Sequence, residues 1–379
     1  MFKLDDTIAM EAMIKLDYDE DIYVEANPFG TAKVSGVFTP ATITNTMLSK
    51  INVDSSVLVV HKTEMVIAAI NSGVPAKNIT LLTNDKSRTA DVTGWGVSVV
   101  TNFEACMNKF DVIIMNPPYA GKARLHQKFF NNAVAAVKEG GSVVSIHPAT
   151  PYFNKKDTNK HDELVFAANV RTYNTSVEFL ADDVFDSADI TTGLAITNLT
   201  KIKSNAANIS SVKYVNGTTY DDVPLENIHM TEINPDDLVG IWNKFVKVVN
   251  SESGSLQDNK ATGDTKKAYL QKLRGHNGTD DFYTLVSKDS KYHHGIGDFG
   301  VAVNNKTQRD NFYEYAKSNV ARFGLALLKF NGNLANGELA MIPMVDLDYQ
   351  YEEEYLYDML GLTKKEIKII EDFLPNYYG

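Results

Sequence analysis

The sequence predicts an α/β chain: a doubly wound sheet in its N-terminal half, with a second, C-terminal α+β domain. Three observations carry this. Short, mainly apolar runs at 57–60, 79–82, 112–115 and 142–146 alternate with segments of helical spacing. Each run stops at polar residues or proline, the form of strands buried on both faces of a parallel sheet. At 379 residues the chain is also too long for one ordinary core, and its texture changes near residue 204.

Composition narrows the function classes. With 44% hydrophobic and 22% charged residues, the chain reads as globular. No stretch approaches the roughly 18 consecutive apolar residues of a membrane span. The start, Met1-Phe2-Lys3-Leu4-Asp5-Asp6, lacks the layout of a signal peptide, so a cytoplasmic location is expected. Cys106 is the single cysteine, which excludes an intrachain disulfide and a cysteine zinc site; no metal is expected. A formal net charge of −11 argues against a non-specific nucleic-acid coat, so phosphate binding would need basic residues gathered on one face.

In order, residues 1–33 form an acidic leader, with a helix expected over 6–16 and a charge run at 17–21 that suits a solvated face. Thr39-Pro40 resembles a helix start, threonine as cap and proline in the first turn, followed by Ile43, Met47, Leu48 and Ile51 at helical spacing. A capped surface helix explains the pair equally well. Val57–Val60 and Ile79–Leu82 are strands, the second ending in Thr83-Asn84-Asp85. Strand 97–101 precedes Asn102-Phe103, where the ring also suits a core position.

Strand Val112–Met115 runs into Asn116-Pro117-Pro118-Tyr119. Two prolines must stop the ladder there, which leaves Asn116 just past a strand's carboxyl end, where open α/β sheets bind ligands. A bare strand-to-helix turn would use the same residues. A helix over 127–138, the Gly140-Gly141 closure, strand 142–146 and His147-Pro148-Ala149-Thr150 follow. His147 invites a general-base reading, but a loop histidine with a backbone partner is the plainer one. Strands 177–180 and 192–198 flank a turn holding Phe185.

From residue 204 the texture is polar, and 205–211 reads as a linker between a domain at 1–203 and one at 204–379. Residues 250–330 are the most basic, with Lys260, Lys266, Lys267, Lys272, Arg274, Lys306, Arg309, Lys317 and Arg322 among aromatics, a composition suited to phosphates and bases. Segments 323–330 and 338–342 are expected as strands. An acidic helical tail (345–379) includes a last helix capped at Thr363 with Glu366 three residues on.

Asn116-Pro117-Pro118-Tyr119, in this setting, resembles motif IV of the S-adenosylmethionine-dependent amino-methyltransferases, most of all the N6-adenine DNA methyltransferases. The motif order, catalytic half first, resembles their gamma class, of phage and restriction-modification type. The resemblance covers about residues 34–200 and implies a Rossmann-like methyltransferase sheet with a C-terminal target-recognition domain. It implies that Asn116 and Pro117 orient the target amine and that Tyr119 stacks on a flipped adenine, with Phe185 on its other face. By the same resemblance Thr39 and Pro40 would receive the carboxylate of S-adenosyl-L-methionine, Asp85 its ribose, and Asn102 and Phe103 its adenine. Implied partners are double-stranded DNA and a restriction endonuclease. One departure stands out: His61-Lys62-Thr63-Glu64-Met65 has no glycine where the family has a glycine-rich turn. Two other readings therefore stay open. One is a DNA-binding relative without catalysis; the other, sharing Asn-Pro-Pro-Tyr, is a protein glutamine methyltransferase.

Overall fold

Led by two wholly apolar runs that can be buried on both faces, five short strands lie side by side in the computed structural model. They are β1 (Val57–Val60), β2 (Ile79–Leu82), β3 (Ser98–Val100), β4 (Val112–Met115) and β5 (Ser142–Pro148). The structure describes residues 25–26, 33–34, 39, 41–49, 51–84, 86–117, 125–153, 160–181, 184, 193–204, 207–229, 231–259, 267–271, 284–286, 299–328 and 336–374. The expected helix over 6–16 lies outside them.

β6 (Tyr173–Leu180), β7 (Leu194–Lys203), β8 (Ile209–Lys213) and β9 (Thr219–Val223) extend the sheet to nine strands in the order β9-β8-β6-β7-β5-β4-β1-β2-β3. β1 to β5 are mutually parallel, and β7 is antiparallel to both β5 and β6. Strand order reverses at β1/β4: β2 and β3 lie to one side, β4 and β5 to the other. This is the doubly wound, Rossmann-like α/β arrangement, and a crevice opens outside the carboxyl ends of the strands at such a reversal.

The helices α1 (Ala41–Leu48), α2 (Thr63–Asn71), α3 (Lys86–Gly94), α4 (Leu125–Ala136) and α5 (His161–Thr172) belong to this unit. Ile43 and Met47 of α1 and Val66 and Ile70 of α2 pack with Val57, Val59, Ile79, Leu81, Val112 and Ile114 in one buried cluster. Elsewhere Phe130 of α4 meets Phe166 of α5, ring centroids 4.9 Å apart. β4 is buried at every residue, as its unbroken apolar run predicts. Gly141 allows the close approach that starts β5, since a Cβ there would lie 2.7 Å from the Asp111 carbonyl oxygen.

Three expectations need correcting. The stretch 205–211 contains the start of β8, which pairs with β6, so the large sheet continues past residue 204 and its compact unit reaches Leu225. Two strands were hidden there because their outer faces are polar: Ile209 and Val212 are buried while Ser210 and Lys213 are exposed. The described part of 323–330 is no strand; Asn319–Ala326 forms helix α8, whose cap Ser318 accepts from the Ala321 N–H. Every residue from Val320 to Ala326 is buried, so no polar stripe marks its period. Likewise 338–342 falls mostly in the 3₁₀ turn Asn336–Met341.

A second compact unit holds most residues from Glu226 onward. Within it α6 (Pro235–Val249) starts with Asn234 as cap and proline at its first position, burying Leu238, Ile241 and Phe245. A three-stranded antiparallel sheet joins Lys267–Gln271, Thr284–Val286 and Phe299–Ala302. α7 (Lys306–Lys317), α8, α9 (Glu353–Leu360) and α10 (Lys364–Phe373) complete it. α9 ends at Gly361, φ 66°, and α10 begins with the expected capping box of Thr363 and Glu366.

Candidate active site

Register alone brings three polar residues together. Val60 pairs with Met115 on one side and with Leu82 on the other. The next residues, Asn116, His61 and Thr83, therefore stand abreast at the carboxyl ends of β4, β1 and β2. All are buried: Asn116 is 3% exposed, His61 5% and Thr83 1%. Polar groups this deep need partners: His61 and Thr83 meet each other, and Asn116 reaches Thr39.

Asn116 Nδ2 donates to Thr39 Oγ1 at 2.9 Å. The Thr39 N–H donates to Glu64 Oε1 at 3.2 Å, and the Thr39 carbonyl accepts from the Thr44 hydroxyl. A chain of contacts thus joins the segment before α1, the first turn of α2 and the end of β4. With one end of the Asn116 amide engaged through nitrogen, the remaining acceptor is Oδ1. Pro117, which has no N–H of its own, is also buried.

The turn between β1 and α2 lacks glycine but keeps a backbone shape that glycine would supply. His61 sits at φ 66°, in the left-handed region that costs most residues about 1 kcal/mol or more. Two bonds hold it: its N–H donates to the Leu82 carbonyl at 3.0 Å, and Nδ1 lies 3.3 Å from Thr83 Oγ1. Its ring also packs toward Phe129 of α4. The side chain is therefore folded against the sheet. Lys62 provides no side-chain cap for α2, and Thr63, the first residue of that helix, has a buried hydroxyl without a hydrogen-bond partner. An unmatched hydroxyl beside uncapped helix N–H groups is what an acceptor-rich ligand would complete. On that observation the turn fits a nucleoside-type cofactor, which Thr63 and the leading N–H groups of α2 would hold.

The other expected site residues fall into three groups. Asn102 Oδ1 accepts from the Ala105 N–H at 2.9 Å, so that oxygen is committed to its own turn; Phe103 is buried edge-on against Phe129 in the core. Thr39 is present, but its hydroxyl holds Asn116. Pro40, Asp85, Pro118, Tyr119 and Phe185 lie outside the described residues. His147 is no base. A carbonyl can only accept, so Nδ1 carries the proton and donates to the Pro148 carbonyl at 2.9 Å, while Nε2 accepts from Thr197 Oγ1 at 2.9 Å. Burial pulls its pKa down to about 4.

Glu64 was not foreseen. The signal available was a lone carboxylate at the head of the apolar run Met65-Val66-Ile67-Ala68-Ala69-Ile70, where burial of a charge needs a reason. Among the described residues no group of three or more histidines, cysteines or carboxylates could hold a metal. Cys106 is buried, and burial raises its thiol to about 11, so it is no nucleophile. No helix of the described residues is long and apolar enough to cross a membrane.

In the second unit the described basic residues are largely committed elsewhere. Arg322 is 3% exposed, Arg309 pairs with Asp310, and Lys317 with Glu314. Those two pairings and that burial take three of the expected phosphate contacts out of a free basic face.

No family model and no curated protein matches the sequence. Among solved structures, the chain is similar to a proposed class I S-adenosylmethionine-dependent methyltransferase from Listeria monocytogenes, at 12% identity and a TM-score of 0.39, over 55% of this chain and 73% of that one. It is similar to the modification subunit of a proposed type I restriction enzyme from Vibrio vulnificus at 13% identity and a TM-score of 0.42, over 68% of this chain and 62% of that one. A structure of a type I restriction-modification system matches at 12% identity and a TM-score of 0.39, over 56% and 50%. The chain thus spans less than two thirds of the last two. At such identities and TM-scores, function has to be read from the chain's own side chains.

Proposed function

We propose that this chain is an S-adenosylmethionine-dependent methyltransferase acting on an exocyclic amine, and that its target is adenine N6 in double-stranded DNA. The observation that carries the reading is Asn116, placed by β4 at the strand-order reversal with its amide nitrogen engaged by Thr39. Such an amine is a poor nucleophile because its lone pair is delocalised into the ring. Hydrogen bonds from the amine to Asn116 Oδ1 and to the Pro117 carbonyl would localise that pair and aim it. The cofactor, when bound, supplies an electrophilic methyl group. Everything else asked of the protein is positioning, which needs no covalent enzyme intermediate. Tyr119 and Phe185 remain the proposed partners of the base faces, and the second unit the proposed site of target recognition, with a restriction endonuclease as a proposed partner.

The test is transfer of labelled methyl from the cofactor to DNA free of methyladenine, followed by nucleoside analysis. N6-methyladenine from the wild-type chain, and a loss of about 10² or more for Asn116→Ala at unchanged stability, are expected. Label on cytosine, on protein glutamine or nowhere would overturn the assignment.

A second reading is favoured by the glycine-free turn at 61–65: a DNA-binding relative without cofactor affinity. Calorimetry with S-adenosylhomocysteine separates the two, since measurable binding excludes this second reading.

A further inference from the structure

We infer that Thr39 is a positioning residue for Asn116, holding its amide in the one orientation that offers oxygen to an incoming amine; this rests on Asn116 being the amine-binding residue. The two ends of an asparagine amide are nearly alike in shape and opposite in hydrogen-bonding sense. An amine N–H can be received only by Oδ1. The flipped amide would set donor against donor, so a site built on asparagine needs something to choose the orientation.

Thr39 Oγ1 takes the Asn116 Nδ2 hydrogen at 2.9 Å, between residues 77 apart in sequence and both almost fully buried. The backbone that carries this hydroxyl is held in place, because the Thr39 N–H donates to Glu64 Oε1 at the head of α2 and its carbonyl accepts from Thr44 in α1. α2 follows β1, and β1 is the ladder neighbour of β4. The anchor and the amide are therefore referenced to the same pair of strands, and a shift of either would be felt by the other. A hydroxyl can accept or donate, so the sense of the amide at this anchor is what an experiment must read.

Replacing Asn116 with aspartate makes the two ends equivalent and removes the need for a choice. The inference then makes a paired prediction for the full-length chain. Thr39→Val should lower kcat for DNA methylation about tenfold or more, the scale of one lost buried hydrogen bond, with the KM for S-adenosylmethionine unchanged. Thr39→Ser should restore the rate. In the Asn116→Asp background, where no orientation has to be chosen, the kcat cost of Thr39→Val should be clearly smaller, giving a measurable non-additivity. Equal costs in both backgrounds, or a Thr39→Ser chain as slow as Thr39→Val, would overturn it.

A second readout does not depend on activity. In the 15N-asparagine-labelled chain, Asn116→Asp identifies the Asn116 side-chain resonances by their loss. Their hydrogen exchange should be about tenfold faster in Thr39→Val than in wild type or Thr39→Ser. Unchanged exchange overturns the inference. Should the wild-type chain methylate nothing, the functional reading falls while exchange still decides what Thr39 does. If Thr39→Val does not fold, Thr39→Cys, small but a weak acceptor, takes its place.

Discussion

Two buried side chains show how differently the same edge treats its polar groups. Asn116 has its amide nitrogen on Thr39, which turns Oδ1 away from that contact, whereas His147 has both ring nitrogens spent, one on the Pro148 carbonyl and one on Thr197. The folded pKa of His147, about 4, lies below the ordinary histidine value. An unfolded chain therefore binds a proton there that the folded one refuses. That contribution to stability is whole above about pH 6.5 and is lost progressively as pH falls toward 4, by up to about 3 kcal/mol. Carbon-detected titration of the histidine rings should show His147 neutral, with the proton on Nδ1, at pH 5. A ring that titrates near 6.5 would contradict this. At this scale Asn116 and Pro117 were legible, because a strand stopped by two prolines leaves little choice about where they stand. Glu64 was not legible, since its partner, the Thr39 N–H, comes from 25 residues away and leaves no local pattern.

Elements with an apolar or nearly apolar run between polar stops, β1, β2 and β4, are readable to the residue. β8 and β9 are not, because edge strands with one wet face resemble linker. α8, buried from Val320 to Ala326, reads as a strand in the sequence because a helix enclosed on every side loses its polar stripe. Gly324 inside it carries a testable cost. A Cβ there would meet the Met341 carbonyl oxygen at 2.5 Å, so Gly324→Ala should destabilise the chain by about 1–3 kcal/mol despite alanine's better helix propensity. Urea melts read this directly. At α10, Thr363→Ala removes one half of the capping box and should cost about 1 kcal/mol. Thr363→Ser should retain most of it in the same melts.

Across the molecule, the nine-stranded sheet places two polar clusters at its two opposite edges. Facing away from Asn116, at the amino ends of β1 and β4, the Ser56 N–H and hydroxyl donate to Asp111 Oδ2, and Lys138 Nζ donates to Oδ1 at 2.8 Å. The Lys138 bond and the Ser56 donors hold the Asp111 carboxyl down at about 2. A depressed acid stabilises the fold above its ordinary value and stops doing so as pH falls from about 4 toward 2. With 43% of the side chain exposed, solvent screens the pair, so the effect should be under about 1 kcal/mol. Asp111→Asn should accordingly flatten the acid limb of a pH–stability curve and leave the proposed methyl transfer at neutral pH untouched.

That separation has a practical reading. The Asp111 fastening and the proposed chemistry occupy different rims of one slab, some four residues of strand apart. Changes that toughen the chain at the Asp111 rim and changes that retarget it at the Asn116 rim should combine freely, so an engineer could harden the scaffold first and redirect it afterwards.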